Sequence, residues 1–219
     1  MIHEELRPIL DLTRRKALEM NSFDLSFDTL SQIPEFPLSD LKSFVPSTED
    51  LVRLLLEYEL EKFTDIVENN DLLDKNAIDA MMHVSVEISR KFNDIFPSLS
   101  PQIKLRYPAV YHEQFQKRLK VISEKIRINL GIGMGQGMYR SDLSAELISR
   151  LYLSRLIDIH NPDFFPLESF SFDVLFNQMF ESLIRSIATP EGLKYFEKQL
   201  KINNLQPRSK KKTQQSVLH

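Results

Sequence analysis

The chain has no cysteine among its 219 residues. That excludes disulfides, thiolate metal sites and a cysteine nucleophile, and it fits a reducing compartment. Glycine is scarce: only five are present, and helix formers dominate. No sustained alternation of β-branched residues occurs, so the expected fold class is all-α. No apolar run approaches the length needed to cross a bilayer, so no membrane span is expected. The beginning Met-Ile-His-Glu-Glu-Leu-Arg-Pro is acidic and lacks a signal-peptide core. A cytoplasmic protein is the expectation. One further shortage is local: between Ala17 and Leu41 there is no lysine, arginine or histidine, while Glu19, Asp24, Asp28, Glu35 and Asp40 all fall there.

What remains is ordinary for a globular protein, with 42% hydrophobic residues, 27% charged residues and a formal net charge of −3. The length is enough to bury a real core in one large domain or two small ones.

The stretch from Phe23 to Tyr58 organises the chain. A short helix is expected at 26–32, with Ser26 as N-cap and Pro34 ending it. A second is expected at about 37–44, opened by Pro37 and closed by Pro46. A long helix then starts at Ser47, where Ser47 and Asp50 have capping-box spacing. Two short helices joined by a tight turn and running into a long one form the layout of a helix-turn-helix reader.

This stretch resembles the N-terminal DNA-binding domain of the TetR family of bacterial transcriptional regulators. Leu30-Ser31 matches the first helix of the motif. Leu41, Phe44, Val45, Pro46, Ser47, Glu49, Asp50 and Leu51 match the recognition helix and the opening of the fourth helix. The resemblance continues in Gln102-Ile103-Lys104-Leu105-Arg106-Tyr107-Pro108-Ala109-Val110-Tyr111, and in Gly133, Gly137, Tyr139, Arg140 and Asp142. It covers the chain to about Leu200. The contact positions depart from the family pattern: Glu35 stands for the turn glycine, Lys42 for a tyrosine, and Thr48 for the lysine that opens the fourth helix. Leu38, Ser39, Asp40 and Ser43 stand at positions that are basic in the family.

The resemblance implies a DNA-binding domain over 1–46 and a helical ligand-binding and dimerisation domain over 47–202, of which 47–69 is a linker helix. A basic tail over 203–219 should be disordered in isolation. Residues expected at DNA are Ser26, Pro37, Ser39, Lys42, Ser43, Phe44 and Thr48. The triplet Arg14-Arg15-Lys16 reads equally as phosphate contacts or as a solvated helix face. The expected partners are operator DNA, a small apolar ligand and a second copy of the chain. A dimer that has lost sequence-specific DNA binding and serves as a ligand or protein-interaction module is the other reading, favoured by the acidic reader.

The remaining segments read as helices at about 2–20, 74–95, 101–107, 109–130, 142–160, 170–188 and 190–202. A methionine and aromatic stripe makes Met81, Met82, Phe92, Tyr107, Tyr111 and Phe115 the candidate ligand contacts. The segment 170–188 is apolar nearly all round, which calls for burial on several sides. With 142–160 it is expected to form the dimer interface, through Leu147, Leu151, Phe172, Phe176, Met179 and Leu183.

Four of the five glycines crowd into Gly131-Ile132-Gly133-Met134-Gly135-Gln136-Gly137. A helix rather than a strand precedes them and the spacing is not G-x-G-x-x-G, so a dinucleotide loop is excluded. A soft helix end is expected there, read either as a hinge between helices or, the preferred reading, as a close-packed turn. Asp158, His160 and Asp163 lack metal-ligand spacing. No nucleophile–base pair or phosphate loop is present, so neither a cofactor nor an enzyme activity is expected.

Overall fold

The computed structural model describes residues 2–20, 24–68, 75–92, 102–159, 161, 163–166 and 168–205. All regular structure among them is helical: α1 (Leu6–Glu19), α2 (Phe27–Ser31), α3 (Leu38–Phe44), α4 (Thr48–Val67), α5 (Ala77–Phe92), α6 (102–106), α7 (Pro108–Gly135), α8 (Ala145–Asp158), α9 (Phe172–Ile187) and α10 (Pro190–Leu205).

The reader forms from local signals. The Ser26 hydroxyl accepts the Thr29 amide at 3.2 Å and starts α2. The chain then turns at Glu35, whose φ of 59° lies in the left-handed region. A side chain there is strained, and glycine would carry no such penalty. Pro37 caps α3. Ser47 caps α4 by accepting the Asp50 amide at 3.1 Å, while its hydroxyl donates to the Asp50 carboxylate. Leu6, Leu10, Ala17, Leu25, Leu30, Leu41, Val45, Leu51, Val52 and Leu55 close a small core around α1–α4.

α4 leaves this core and packs along α7, the longest helix, which also contacts α5 and α8. α9 packs on α5 and α8, and α10 packs on α9.

Three expectations are corrected. The helix expected to end at Leu130 continues through Gly131 and Gly133 to Gly135, with Gln136 as its cap. Packing outweighs the low helix propensity of glycine here, because Gly133 lies directly against the buried Tyr139 ring. The chain reverses at Gly137, φ 70°. Tyr139 pairs with Ala188 in an isolated bridge, and Arg140 N–H donates to Ile187 O at 2.9 Å.

The expected helix at 142–160 begins only at Ala145, capped by Ser144. Arg140 and Asp142 form an ion pair in the turn before it.

α9 is not apolar all round. Phe172, Phe176, Met179, Phe180, Leu183, Ile184 and Ile187 face the core, while Val174, Asn177, Gln178 and Arg185 face out.

Asn69–Asp71, the loop at 96–100, His160 and the basic tail from 206 onward lie outside the described residues.

Candidate ligand cavity and reader surface

A cavity of about 370 Å³ opens between α4, α5, α7, α8 and α9. Its apolar walls come from helical repeats: Met81, Val84 and Ile88 on α5, Ile122 and Ile126 on α7, Phe63 and Val67 on α4, Phe176 and Phe180 on α9. This size and character fit a small-molecule site.

Glycine-rich turn and cavity meet at one end. The Ala77 amide donates to Gln136 Oε1 at 2.9 Å, Asn129 Nδ2 donates to Ala77 O at 2.9 Å, and the Tyr139 hydroxyl donates to Asn129 Oδ1 at 3.2 Å. These bonds satisfy the start of α5 and hold Asn129 and Gln136 in fixed roles. Burial pushes the Tyr139 hydroxyl well above its usual pKa, so it remains a donor. One turn before Asn129 on α7, Lys125 Nζ lies 2.8 Å from Glu68 Oε1, and both side chains are part-exposed.

Two hydroxyls stand out inside this apolar lining. Ser85 and Tyr152 are 5% and 8% exposed. Neither makes a side-chain hydrogen bond among the described residues. Burial pushes the Tyr152 hydroxyl strongly upward as well.

Of the expected ligand contacts, Met81 lines the cavity. Met82 is buried but turned away from it, in the general core. Tyr107, Tyr111 and Phe115 are not part of the lining: they lie on the segment leading into α7 and its first half, which packs beside α4, and Tyr111 and Phe115 stack on each other at 5.6 Å. The Phe92 side chain lies outside the described residues. Sequence reasoning missed Phe63, Ser85, Ile122, Tyr152 and Phe180. A serine interrupting the apolar stripe of α5 was the one visible signal.

On the reader, Ser26 is spent on capping α2, and Pro37 stands at the N-cap position of α3 without a side-chain hydrogen bond. Ser43 Oγ donates to Asp40 O at 2.7 Å. Ser39 and Lys42 are exposed on α3, and the Lys42 ammonium lies 5.2 Å from the Phe27 ring centre. Phe44 packs tilted on His3, and Thr48 is half-buried. Asp28, Glu35 and Asp40 are exposed beside them.

The basic triplet divides. Arg14 is drawn inward, 2.8 Å from the buried Glu59 of α4. Lys16 pairs with Glu19 at 2.7 Å. Arg15 is left exposed.

No protein-family model matches the sequence, and no curated protein is detectably similar to it. Solved structures do resemble the fold. The reduced form of NemR from E. coli superposes with a TM-score of 0.62 at 13% identity, over 83% of this chain and 96% of that one. A TetR-family transcriptional regulator from Agrobacterium tumefaciens gives 0.61 at 17% identity, over 83% and 96%. The fatty acid degradation regulator FadR from Bacillus halodurans gives 0.61 at 11% identity, over 84% and 96%. The chain has the TetR-type fold.

Within this TetR-type fold the expected interface residues divide by helix. Leu147 and Leu151 project from α8 at 56% and 52% exposure. Phe172, Phe176, Met179 and Leu183 are instead in the chain's own core, and Phe176 faces the cavity. The reason is the one-sided character of α9: its apolar face is already used against α5 and α8. Val174, 61% exposed, is the large apolar residue that α9 turns outward.

Among the described residues no helix is long and apolar enough to cross a membrane. Among them, too, no group of three or more histidine, aspartate or glutamate side chains is placed to hold a metal ion.

Proposed function

We propose that the chain is a TetR-type transcriptional regulator, acting as a cytoplasmic homodimer whose hold on operator DNA is set by a small apolar ligand. Residues 1–46 form the reader, and 47–202 form the sensing and dimerising part, with α4 as the link. The observation that carries this reading is the double role of α4. Its first half closes the reader core through Leu51, Val52 and Leu55; its second half lines the cavity through Phe63 and Val67. A ligand in the cavity therefore touches the helix on which the reader is mounted. Such a ligand shifts the reader only by binding one of its positions better than the other. Leu147, Leu151 and Val174 are the residues proposed to meet the second copy.

A second reading has its own support. Lys42 and Arg15 are the exposed cations of α1–α3, against exposed Asp28, Glu35 and Asp40. Carboxylates at this surface oppose the phosphate attraction that dominates DNA affinity. On that reading the dimer senses a ligand without holding an operator.

Fluorescence anisotropy with fragments spanning the upstream region of its own gene separates the two. Saturable binding to one fragment that survives competitor DNA supports the operator reading. A folded dimer that binds no fragment, with or without candidate ligands, leaves the ligand-sensing module.

A further inference from the structure

We infer that the cavity takes an uncharged, largely apolar compound carrying one or two oxygen acceptors, such as a ketone or ester, held by the hydroxyls of Ser85 and Tyr152. This rests on the cavity being a ligand site, as proposed above. It adds the chemical class.

Met, Val, Ile and Phe side chains make up most of the cavity's apolar wall, and they recognise shape and apolar area but not polarity. Within that lining, Ser85 on α5 and Tyr152 on α8 are residues more than nine-tenths buried, and neither hydroxyl has a hydrogen-bond partner among the described residues. A hydroxyl in a cavity wall with no protein partner takes its hydrogen bond from what fills the cavity, so these two point to a partner supplied there. Both groups donate an O–H. A phenol this buried stays protonated across the working pH range. An acceptor oxygen therefore satisfies either of them, and no donor is required of the ligand.

The same lining argues against a carboxylate. Lys125 is already paired with Glu68 at 2.8 Å, and Lys75 has interactions of its own. Asn129 donates to Ala77 O and accepts from Tyr139, and the Gln136 carbonyl accepts the Ala77 amide. An anion drawn into this space would lose its water and find two neutral hydroxyls and ammonium groups already engaged elsewhere, which does not balance the burial of a charge. The volume of about 370 Å³ corresponds to about a dozen water-sized groups at ~30 Å³ each. That is the scale of a bicyclic ketone.

The test is isothermal titration calorimetry of the full chain with three probes of one ring skeleton: 2-acetylnaphthalene, 2-ethylnaphthalene and 2-naphthoate. The ketone should bind tightest. Tyr152→Phe and Ser85→Ala remove each hydroxyl while keeping the shape. Each should weaken the ketone about three- to tenfold, the worth of one hydrogen bond, and leave the hydrocarbon unchanged. Circular dichroism and thermal unfolding establish that both variants fold. Equal binding of ketone and hydrocarbon, untouched by either substitution, overturns the inference while leaving the cavity as an apolar ligand site. Tightest binding of naphthoate overturns it in favour of an anionic class. If none of the three binds the folded protein, the ligand-cavity reading fails with it.

Discussion

Replacing Gly133 by alanine should destabilise the chain by about 2 kcal/mol, whereas the same change at Gly131 or Gly135 should stabilise it. The three glycines lie within two turns of one helix, so intrinsic propensity treats them alike and favours alanine by about 1 kcal/mol each. Their surroundings differ. A Cβ at Gly131 or Gly135 meets nothing within 4 Å. A Cβ at Gly133 would lie 2.1 Å from Tyr139 Cδ2 and 2.3 Å from Cε2. Ordinary contact begins near 3.4 Å, so the ring must retreat by roughly 1.3 Å. Tyr139 is fully enclosed and anchored at both ends, by the bridge to Ala188 and by its bond to Asn129. Overpacking of that kind costs about 1–3 kcal/mol, and stretching the Asn129 bond adds about 1 kcal/mol. The propensity gain offsets only part of this. Urea unfolding followed at 222 nm, at fixed protomer concentration, measures all three. Gly133→Ala as stable as the parent chain, or Gly131→Ala clearly less stable, would refute the packing argument and return these glycines to the role of a soft hinge.

The left-handed Glu35 carries backbone strain of about 1–2 kcal/mol, so Glu35→Gly should raise unfolding free energy by about 1 kcal/mol once the greater freedom of glycine in the unfolded chain is deducted. Burial opposes the charge on Asp11, but hydrogen bonds from Lys62 and Tyr58 outweigh it and hold its carboxyl below the ordinary 3.8. Its contribution to stability is therefore present above that value and lost as pH falls through the lowered one. Asp11→Asn should cost about 0.5 kcal/mol at pH 7 for so exposed a group, and the two urea curves should converge at strongly acid pH. Leu147→Glu with Leu151→Glu should turn a dimer into a folded monomer in analytical ultracentrifugation; a persistent dimer would move the interface elsewhere. On DNA, Lys42→Ala should weaken operator binding and reduce the salt slope by about 1, while Asp40→Asn should strengthen it, both read by anisotropy.

The reader was legible in the sequence because its signals are local. Ser26 and Ser47 each accept an amide within one turn, Asp50 accepts the Ser47 hydroxyl, and Pro37 stands at the N-cap of α3, so spacing alone locates α2, α3 and the start of α4. The cavity was not legible, because membership in it depends on which part of a helix faces which neighbour. α7 shows this directly. Tyr111 and Phe115 look as suitable as Ile122 and Ile126, yet the first half of α7 lies beside the reader end of α4, where Arg53 pairs with Glu113, and only the second half reaches the cavity. Composition misled at α9, where the number of apolar residues hid their confinement to one side. Tyr152 was hidden among the leucines of α8, since nothing in its local sequence distinguishes the inward hydroxyl from the outward Leu151.

α4 is tied to α7 along its length, and the ties rank the motions open to it. Arg53–Glu113, Glu57–Lys117 and Glu68–Lys125 are exposed or half-exposed pairs, and solvent screening leaves each of them weak. They set the register without holding it strongly. Glu59 is different: it is buried, paired with Arg14 of α1, and acted on by the charge of Arg118 of α7. Burial pushes its carboxyl above the ordinary value against the pull of both guanidiniums. Sliding α4 along α7 would part this charge from its partners, at a cost of about 3–5 kcal/mol. Tilting α4 about Glu59 keeps them together. From that pivot Val67 lies ~12 Å along the helix towards the cavity, and Thr48 ~17 Å along it towards the reader, at 1.5 Å per residue. A ligand that displaces the Val67 end by ~1 Å then moves the reader end by ~1.4 Å the opposite way on the same lever. Arg14 brings α1 onto the pivot itself, so α1 turns with α4 while α2 and α3, mounted farther out, are carried across. Glu59→Gln keeps the shape and removes the charge that fixes the pivot. On the proposed reading it should leave ligand affinity in place and weaken the effect of ligand on DNA binding, and an undiminished ligand response in that variant would place the pivot elsewhere.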